Sequence, residues 1–367
     1  MSRFPEEKEP AMTPHATLAR LRDYLVGPSR FMTLLSCFEL GLIDALREHQ
    51  ALTARQLADV AGAKPDAIEQ LLLLPVKEGF VAHDEQAGTY RLHALAAVSD
   101  QDLDAVLADL AMIKAVTLRQ LYYLTQSVRT GAPAGLKELY GIDGDLYAAL
   151  ADLPELREPW AKLMNTVTRH VDPWFFSTID IPAGSRVLDL AGNTGLGAIH
   201  TYTMKKSPGL HVTNFDLPHK ETESLANFRA HGLQDHCSFI GGDVFDKVPE
   251  GYDVVLVKHF LPMFDKSDVL RILKTVHASL RPGARVHALV PVFPEDLTDT
   301  ENYTVDFYPS FFIGCAMGQG GPQKLSTWTE WFTACGFTVT QAVTHDPAEL
   351  PPHALTVEAV ISATKTA

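Results

Sequence analysis

The sequence predicts a two-part chain: a helical segment ending in a small hairpin, then an α/β segment whose parallel sheet is covered on both faces. Three observations carry this. Residues 53–92 read helix, turn, helix, hairpin, which is the winged-helix order. From Ser185 onward, apolar strand-like runs alternate with amphipathic helical ones, the pattern of a doubly wound sheet. The first of those strands runs into an acid and a glycine-rich turn, "VLDLAGNTGLG" at 187–197.

Composition narrows the classes. The 367 residues suffice for two domains of ordinary size. With 46% hydrophobic and 21% charged residues the chain is globular rather than disordered. Its formal charge of −14 leaves no basic face for a nucleic acid or an anionic membrane. No apolar run approaches the ~20 residues that span a bilayer. The opening "MSRFPEEKEP" has no signal-sequence pattern, so a cytoplasmic protein is expected. Cys37, Cys237, Cys315 and Cys335 lack metal or disulfide spacing and read as buried free thiols.

Taken in order, residues 1–12 read as a disordered tail. "SRFMTLLSCFELGLIDALRE" spaces apolar residues by three and four, as a buried helix does. "TARQLADVAGAKPDAIEQLLLLPVKEGFV" gives two helices started by Thr53 and by Lys64-Pro65-Asp66. "FVAHDEQAGTYRL" closes a hairpin at Glu85-Gln86-Ala87-Gly88. The second helix is too apolar and acidic for a DNA groove, so 13–100 is assigned to dimerisation. Residues 101–179 are linking helices that wall a substrate pocket, and 180–367 form the α/β domain. Its strands are "RVLDLAG", "HVTNFDLP", "CSFIGGDVF", "YDVVLVKHF" and "ARVHALVPVF". "FTVTQAVTH" and "LTVEAVISAT" add a final hairpin.

Ligands of such sheets sit at the carboxyl ends of the strands, beside the first turn. Asp189 there opposes a pyrophosphate but suits a cofactor with an ammonium and a sulfonium, which S-adenosylmethionine has, without any phosphate. Around it stand Gly192, Asn193 and Gly195 of the turn. Asp216, followed by Leu217, can accept both ribose hydroxyls. Asp243 can accept from the adenine amino group with Val244 and Phe245 against the ring, and Lys258 can meet the carboxylate or cover the adenine.

With these residues placed, "VLDLAGNTG", "FDLPH", "GGDVFDKVPEGYDVVLVKHFL" and "LRPGARV" resemble the two-domain small-molecule O-methyltransferases, which include caffeate-type and polyketide-tailoring enzymes. The resemblance extends from "FELGLIDAL" to "WTEWFTACGF". It implies a Rossmann-like class I methyltransferase domain preceded by an all-α/winged-helix dimerisation domain, an intertwined homodimer and S-adenosylmethionine as methyl donor. It also implies cofactor contacts at Gly192, Asp216, Asp243, Val244 and Lys258.

Two departures stand out. The family's glycine pattern becomes Asp189, Ala191, Asn193 and Gly195, with Asn the non-glycine residue that best tolerates a left-handed backbone. The family's His-Asp base pair becomes Pro262 and Met263, and its two other acids become Val290 and Leu325. Methyl transfer survives without the base, because the donor is already activated and alignment alone supplies roughly 7–11 kcal/mol. A general base adds about 10²–10⁴-fold.

Three residues are candidates for catalysis: His259, and the pair Arg169-His170 on the helix before the sheet, with Arg169 as partner for a carboxylate. Trp174, Tyr303, Tyr308, Phe311, Phe312 and Met317 are candidates for a flat apolar pocket, and "GQGG" at 318–321 for a lid or a turn. No metal is expected. The reading is a methyltransferase of specialised metabolism acting on a small aromatic or phenolic acceptor, at oxygen first and ring carbon second. The alternatives are an S-methyltransferase of a thioether acid, a relative that holds the cofactor for hydroxylation or pericyclic chemistry, and a DNA-binding regulator.

Overall fold

The computed structural model describes residues 13–298 and 302–366; the tail assigned to residues 1–12 lies outside them. Contacts divide the chain into two compact units, with the boundary between Asp104 and Ala105.

The first unit opens with α1 (Pro14–Glu39), capped by Thr13 with Pro14 at its first position, and α2 (Leu42–Glu48). A two-residue strand β1 (Leu52–Thr53) leads into α3 (Ala54–Ala61) and α4 (Pro65–Lys77). Thr53 and Gln56 form a capping box at the start of α3. The hairpin β2 (Val81–Asp84) and β3 (Thr89–Leu92) pairs antiparallel, and β1 adds on the outer side of β3. Asp84 fixes the turn by accepting from the backbone of Gln86 and Ala87. Leu42, Ile43, Leu57, Ile68 and Leu72 close the core of this winged helix. Along α1, however, Leu18, Leu21, Tyr24 and Leu25 remain at least half exposed.

The second unit begins within α5 (Asp100–Met112) and continues through α6 (Arg119–Leu121), α7 (Leu124–Thr130), α8 (Ala134–Tyr140) and α9 (Leu146–Asp152) to α10 (Pro154–Thr178). Between α5 and α6 the helix widens into a π segment, Ile113–Leu118. Pro173 lies inside α10, where it removes a donor and crowds the Arg169 carbonyl.

The sheet follows: β4 (Arg186–Leu190), α11 (Leu196–Met204), β5 (His211–Asp216), α12 (Glu221–Ala230), β6 (Cys237–Gly241), β7 (Val254–Lys258), α13 (Lys266–Ser279) and β8 (Arg285–Phe293). Next come α14 (Thr304–Phe311), which widens into a second π segment at Phe312–Ala316, then β9 (Gln323–Lys324), α15 (Leu325–Ala334), β10 (Phe337–Thr344) and β11 (Val357–Lys365). The strand order is β10-β11-β8-β7-β4-β5-β6. The five strands from β8 to β6 are parallel, and β11 and β10 form the antiparallel final hairpin. The predicted doubly wound sheet is thus the observed one.

The order reverses between β4 and β7, and such switch points open the crevice where ligands sit. One face of the sheet packs on α13 and α15 through Ile272, Leu273, Trp328 and Phe332. The other packs on α10, α11 and α12 through Phe175, Phe176, Ile199 and Phe228. All four cysteines are free and buried.

Candidate active site

The turn after β4 is built from side chains as much as from glycines. Ala191, Asn193 and Gly195 take left-handed backbone angles of 57°, 50° and 83°. Neighbouring strands and helices stabilise this. Asn214 donates to the Asn193 carbonyl and to Ser224 Oγ at 2.9 Å each, and Asn227 donates to the Thr194 carbonyl at 2.9 Å. Sequence reasoning missed both asparagines; a polar residue inside the apolar run "HVTNFD" was the available signal.

Asp189 lies elsewhere than the sequence suggested. It is 1% exposed and packed beneath the turn, so it does not face an incoming ligand. A methyl group added at Gly192 would come within 2.5 Å of its Oδ2, and one at Gly197 within 2.4 Å. These glycines therefore make room for the buried carboxylate. Asp189 Oδ2 and Asn214 Oδ1 are buried without a hydrogen-bond partner. Burial raises the Asp189 pKa to about 6, despite the nearby Lys258 charge.

Asp216 and Asp243 do face outward. Asp216 accepts from the backbone of Asn193 at 2.8 Å and Leu217 at 2.7 Å, one bond to each oxygen. A carboxylate has about four lone-pair sites, so each oxygen can take a further donor. Leu217 is 45% exposed beside it. Asp243 is exposed and accepts from Phe245 N through Oδ1, which leaves Oδ2 available. Phe245 is half-buried with the Arg271 guanidinium 4.7 Å from its centroid, whereas Val244 is buried in the core.

Lys258 is a second correction. Its ammonium donates to both Asp172 oxygens, at 2.8 and 3.0 Å, and lies near Phe175 and Phe176. It is therefore engaged by Asp172 rather than left free for a ligand carboxylate. His200 Nδ1 completes the group at 2.6 Å from Asp172 Oδ2. Burial pushes the Asp172 pKa up, but Lys258 and His200 together hold it below the ordinary carboxylate value.

This edge bears on the cofactor. The lysine that ends β7 is neutralised, and the outward groups are the carboxylates Asp216 and Asp243. Such a set of acceptors repels a pyrophosphate and takes bonds from hydroxyls and an amine beside a positive charge, so it fits S-adenosylmethionine. A groove of about 730 Å³ lined by Lys247, Leu270, Arg271 and Lys274 contains neither carboxylate.

On the acceptor side the candidates separate. Arg169 is exposed, as is Tyr303 at 53%. Phe311 and Phe312 are core residues, packed with Trp160 and Leu163, and Met317 packs against the same cluster. The 318–321 segment forms a turn: Gly321 N donates to the Pro262 carbonyl at 2.7 Å, and Gly320 admits no side chain beside it. Val290 is fully buried, and Leu325 packs on the core.

His170, Trp174, Tyr308 and His259 are instead joined through residues that the sequence reading passed over. His170 Nδ1 donates to the Thr166 carbonyl at 2.9 Å, and its ring lies 6.3 Å from that of His353. Burial pushes the carboxyl of Asp109 up to about 6, and the nearby His170 opposes that shift. Trp174 stacks on His345 at 4.3 Å and 7°, and His345 N donates to the Glu358 carbonyl at 2.7 Å. Burial, reinforced by Glu358 and Asp109, raises the Tyr308 phenol above its usual range. His259 Nε2 lies 3.1 Å from Glu358 Oε2. A lone glutamate in the apolar strand "VEAVISA" was the unread signal.

Comparison with known proteins agrees with this geometry. The O-methyltransferase domain family matches residues 121–338, and the O-methyltransferase dimerisation domain matches residues 23–100. The chain is 28% identical over 271 residues to the mitomycin biosynthesis 6-O-methyltransferase of Streptomyces lavendulae, covering 72% of this chain and 75% of that protein. It is 29% identical over 274 residues to the 3-amino-4-hydroxybenzoate 4-O-methyltransferase of Streptomyces cremeus, covering 73% and 72%. A solved structure of a mitomycin 7-O-methyltransferase shares the fold, with TM-score 0.77, 24% identity and coverage of 95% and 98%. The chain belongs to the O-methyltransferase family and is an S-adenosylmethionine-dependent methyltransferase.

Proposed function

We propose that this enzyme methylates a hydroxyl of a small phenolic acceptor in specialised metabolism, as a homodimer joined through its first unit. The observation that carries the reading is the strand-end edge: outward carboxylates at Asp216 and Asp243, a glycine turn, and a lysine already neutralised by Asp172. Relatives named for O-methylation of a mitomycin and of an aminohydroxybenzoate support the acceptor class.

S-adenosylmethionine supplies an activated methyl group. The chain's own residues hold and align. Asp216 takes the ribose hydroxyls beside Leu217, Asp243 takes the adenine amino group beside Phe245, and the backbone of Gly192, Asn193 and Gly195 follows the methionine end. Asp189 acts from beneath the turn, as a buried negative charge that favours the sulfonium. Trp174, His170 and Tyr308 bound the acceptor from α10 and α14. Alignment of acceptor and methyl group supplies roughly 7–11 kcal/mol of the barrier reduction.

The half-exposed apolar stripe of α1, with Leu18, Leu21, Tyr24 and Leu25, is the surface that a second copy covers. With a net charge of −14 and no described helix long and apolar enough to cross a membrane, the enzyme is read as acting on free small molecules in the cytoplasm. The test is incubation with labelled S-adenosylmethionine and simple phenols. Stoichiometric S-adenosylhomocysteine and a methyl ether are expected. Failure to bind S-adenosylhomocysteine in a calorimeter would overturn the reading.

A further inference from the structure

We propose that His259 and Glu358 form an acid–base dyad, with His259 taking the acceptor's proton and Glu358 fixing the imidazole. This rests on the reading above that the acceptor carries a hydroxyl. Pro262 and Met263 stand where the resembling enzymes place their base, so the proton needs another destination.

Three observations converge on this pair. The first is proximity across the sheet. His259 directly follows β7, Glu358 is the second residue of β11, and their Nε2 and Oε2 atoms are 3.1 Å apart. Both atoms are enclosed, and neither has an aligned hydrogen-bond partner. Catalytic pairs are often misaligned before substrate binds and tighten afterwards.

The second is the position of Glu358. It is 3% exposed on a strand whose neighbours are Val357, Ala359, Val360 and Ile361. Its other oxygen accepts from Thr356 Oγ1 at 3.1 Å. No lysine or arginine pairs with it among the described residues. A buried carboxylate held only by a hydroxyl and a histidine is costly unless a positive charge forms beside it. The groups that face it are His259, Tyr308 from α14 and His345 after β10, with Asp109 acting on Tyr308 from α5.

The third is the backbone of His259. Its φ of 52° is left-handed, unusual for a residue with a side chain, and its N–H donates to the Leu289 carbonyl at 2.9 Å. The ring so placed reaches across β8 to Glu358. A quarter of the side chain is exposed, and Nδ1 is not among the enclosed atoms.

The proton step follows. As the acceptor oxygen forms its bond to the methyl carbon, the carbon–sulfur bond breaks and its electron pair stays on sulfur. The hydroxyl proton passes to His259 Nδ1 and from there to water. Glu358 is the positioning residue. It keeps the other ring proton on Nε2, so that Nδ1 presents its lone pair, and it balances the imidazolium that forms.

The test uses the whole chain and two readouts. Ring-nitrogen NMR shifts of His259, assigned against His259→Ala, report the tautomer with no acceptor present. Wild type should show the proton on Nε2, and Glu358→Gln should give a tautomer mixture. Unchanged shifts in Glu358→Gln would overturn the proposal. In turnover, 4-methoxyphenol is neutral at mildly alkaline pH whereas 4-nitrophenol is ionised. His259→Ala should slow methylation of the neutral phenol by about 10²–10⁴-fold relative to the ionised one. Added imidazole should restore part of the loss. Equal losses on both phenols would overturn the proposal. S-adenosylhomocysteine affinity, unchanged in both variants, shows that they fold. If the wild type binds S-adenosylhomocysteine but methylates neither phenol, the acceptor reading fails, and the NMR result still decides the dyad.

Discussion

Replacing Lys258 by methionine tests the ionic group beneath the cofactor edge. The change keeps the apolar stem and removes the ammonium that donates twice to Asp172. Asp172 is 1% exposed, so its carboxylate would stay out of water with only His200 at 2.6 Å. Removing one partner of a buried pair costs about 3–5 kcal/mol, and the surviving His200 bond places this case near the lower end. At roughly 2–4 °C per kcal/mol for a unit of this size, the melting transition should fall by about 6–12 °C. The pH dependence carries its own sign. In the wild type Asp172 is held below its ordinary pKa, so its contribution is present above the unfolded value and lost as pH falls through the lowered folded one. Without Lys258, burial dominates and raises the folded pKa. The folded variant then binds the proton more tightly than the unfolded chain does. The gap from wild type should therefore be widest near neutral pH and narrow toward about pH 5. Pairing Lys258→Met with Asp172→Leu should return most of the loss, because an apolar pair leaves no charge stranded. Differential scanning calorimetry of wild type and the two variants at neutral pH and at about pH 5 is the assay. A Lys258→Met protein as stable as wild type, or a loss independent of pH, would refute the reasoning.

Asp189→Asn should stabilise the ligand-free chain. A folded pKa of about 6 against an unfolded ~3.9 is a penalty of about 3 kcal/mol at neutral pH, relieved as pH falls from about 6 to 4. Urea titration should show the variant more stable than wild type at neutral pH, with a gain that shrinks across that window, together with weaker S-adenosylmethionine binding. Asp216→Ala should weaken S-adenosylhomocysteine binding by about 10–100-fold in calorimetry, since it deletes a charged acceptor and frees the Asn193 and Leu217 amides. Gly192→Ala should destabilise by about 1–3 kcal/mol in urea melts, because its methyl would lie 2.4 Å from Asn214 Oδ1 and 2.5 Å from Asp189 Oδ2.

The architecture was legible because it is written in short-range periodicity. Thr53 with Gln56, Pro65 at a helix start, and Asp84 before Gly88 each declare a local structure that tertiary packing had no reason to override. The cofactor edge was legible in part, because its acids follow strand ends in sequence. Sequence could not show which way those acids turn. Asp189 and Asp216 each sit at or near the end of a strand, yet one lies under the glycine turn and the other opens outward. Lys258 was misread for a related reason: Asp172, its partner, is 86 residues away on a helix. The acceptor wall was least legible. Phe311 and Phe312 looked like pocket residues because core and pocket aromatics share a spacing, whereas Glu358, Asp109 and His345 reach their places only through the fold.

The two π segments, Ile113–Leu118 and Phe312–Ala316, pack near each other, with Cys315 Sγ 3.7 Å from the Thr117 carbonyl. A wide turn of this kind amounts to one surplus residue carried in an α-helix. The wide turn absorbs the ~100° that one extra residue would otherwise add, so the turns before and after it keep the phase of a regular helix. Deleting one residue there would restore ordinary winding with Tyr308 before the Phe312–Ala316 turn and the 318–321 turn after it left in place. A single-residue change at either segment is thus taken up within one turn, and the rest of the fold keeps its form.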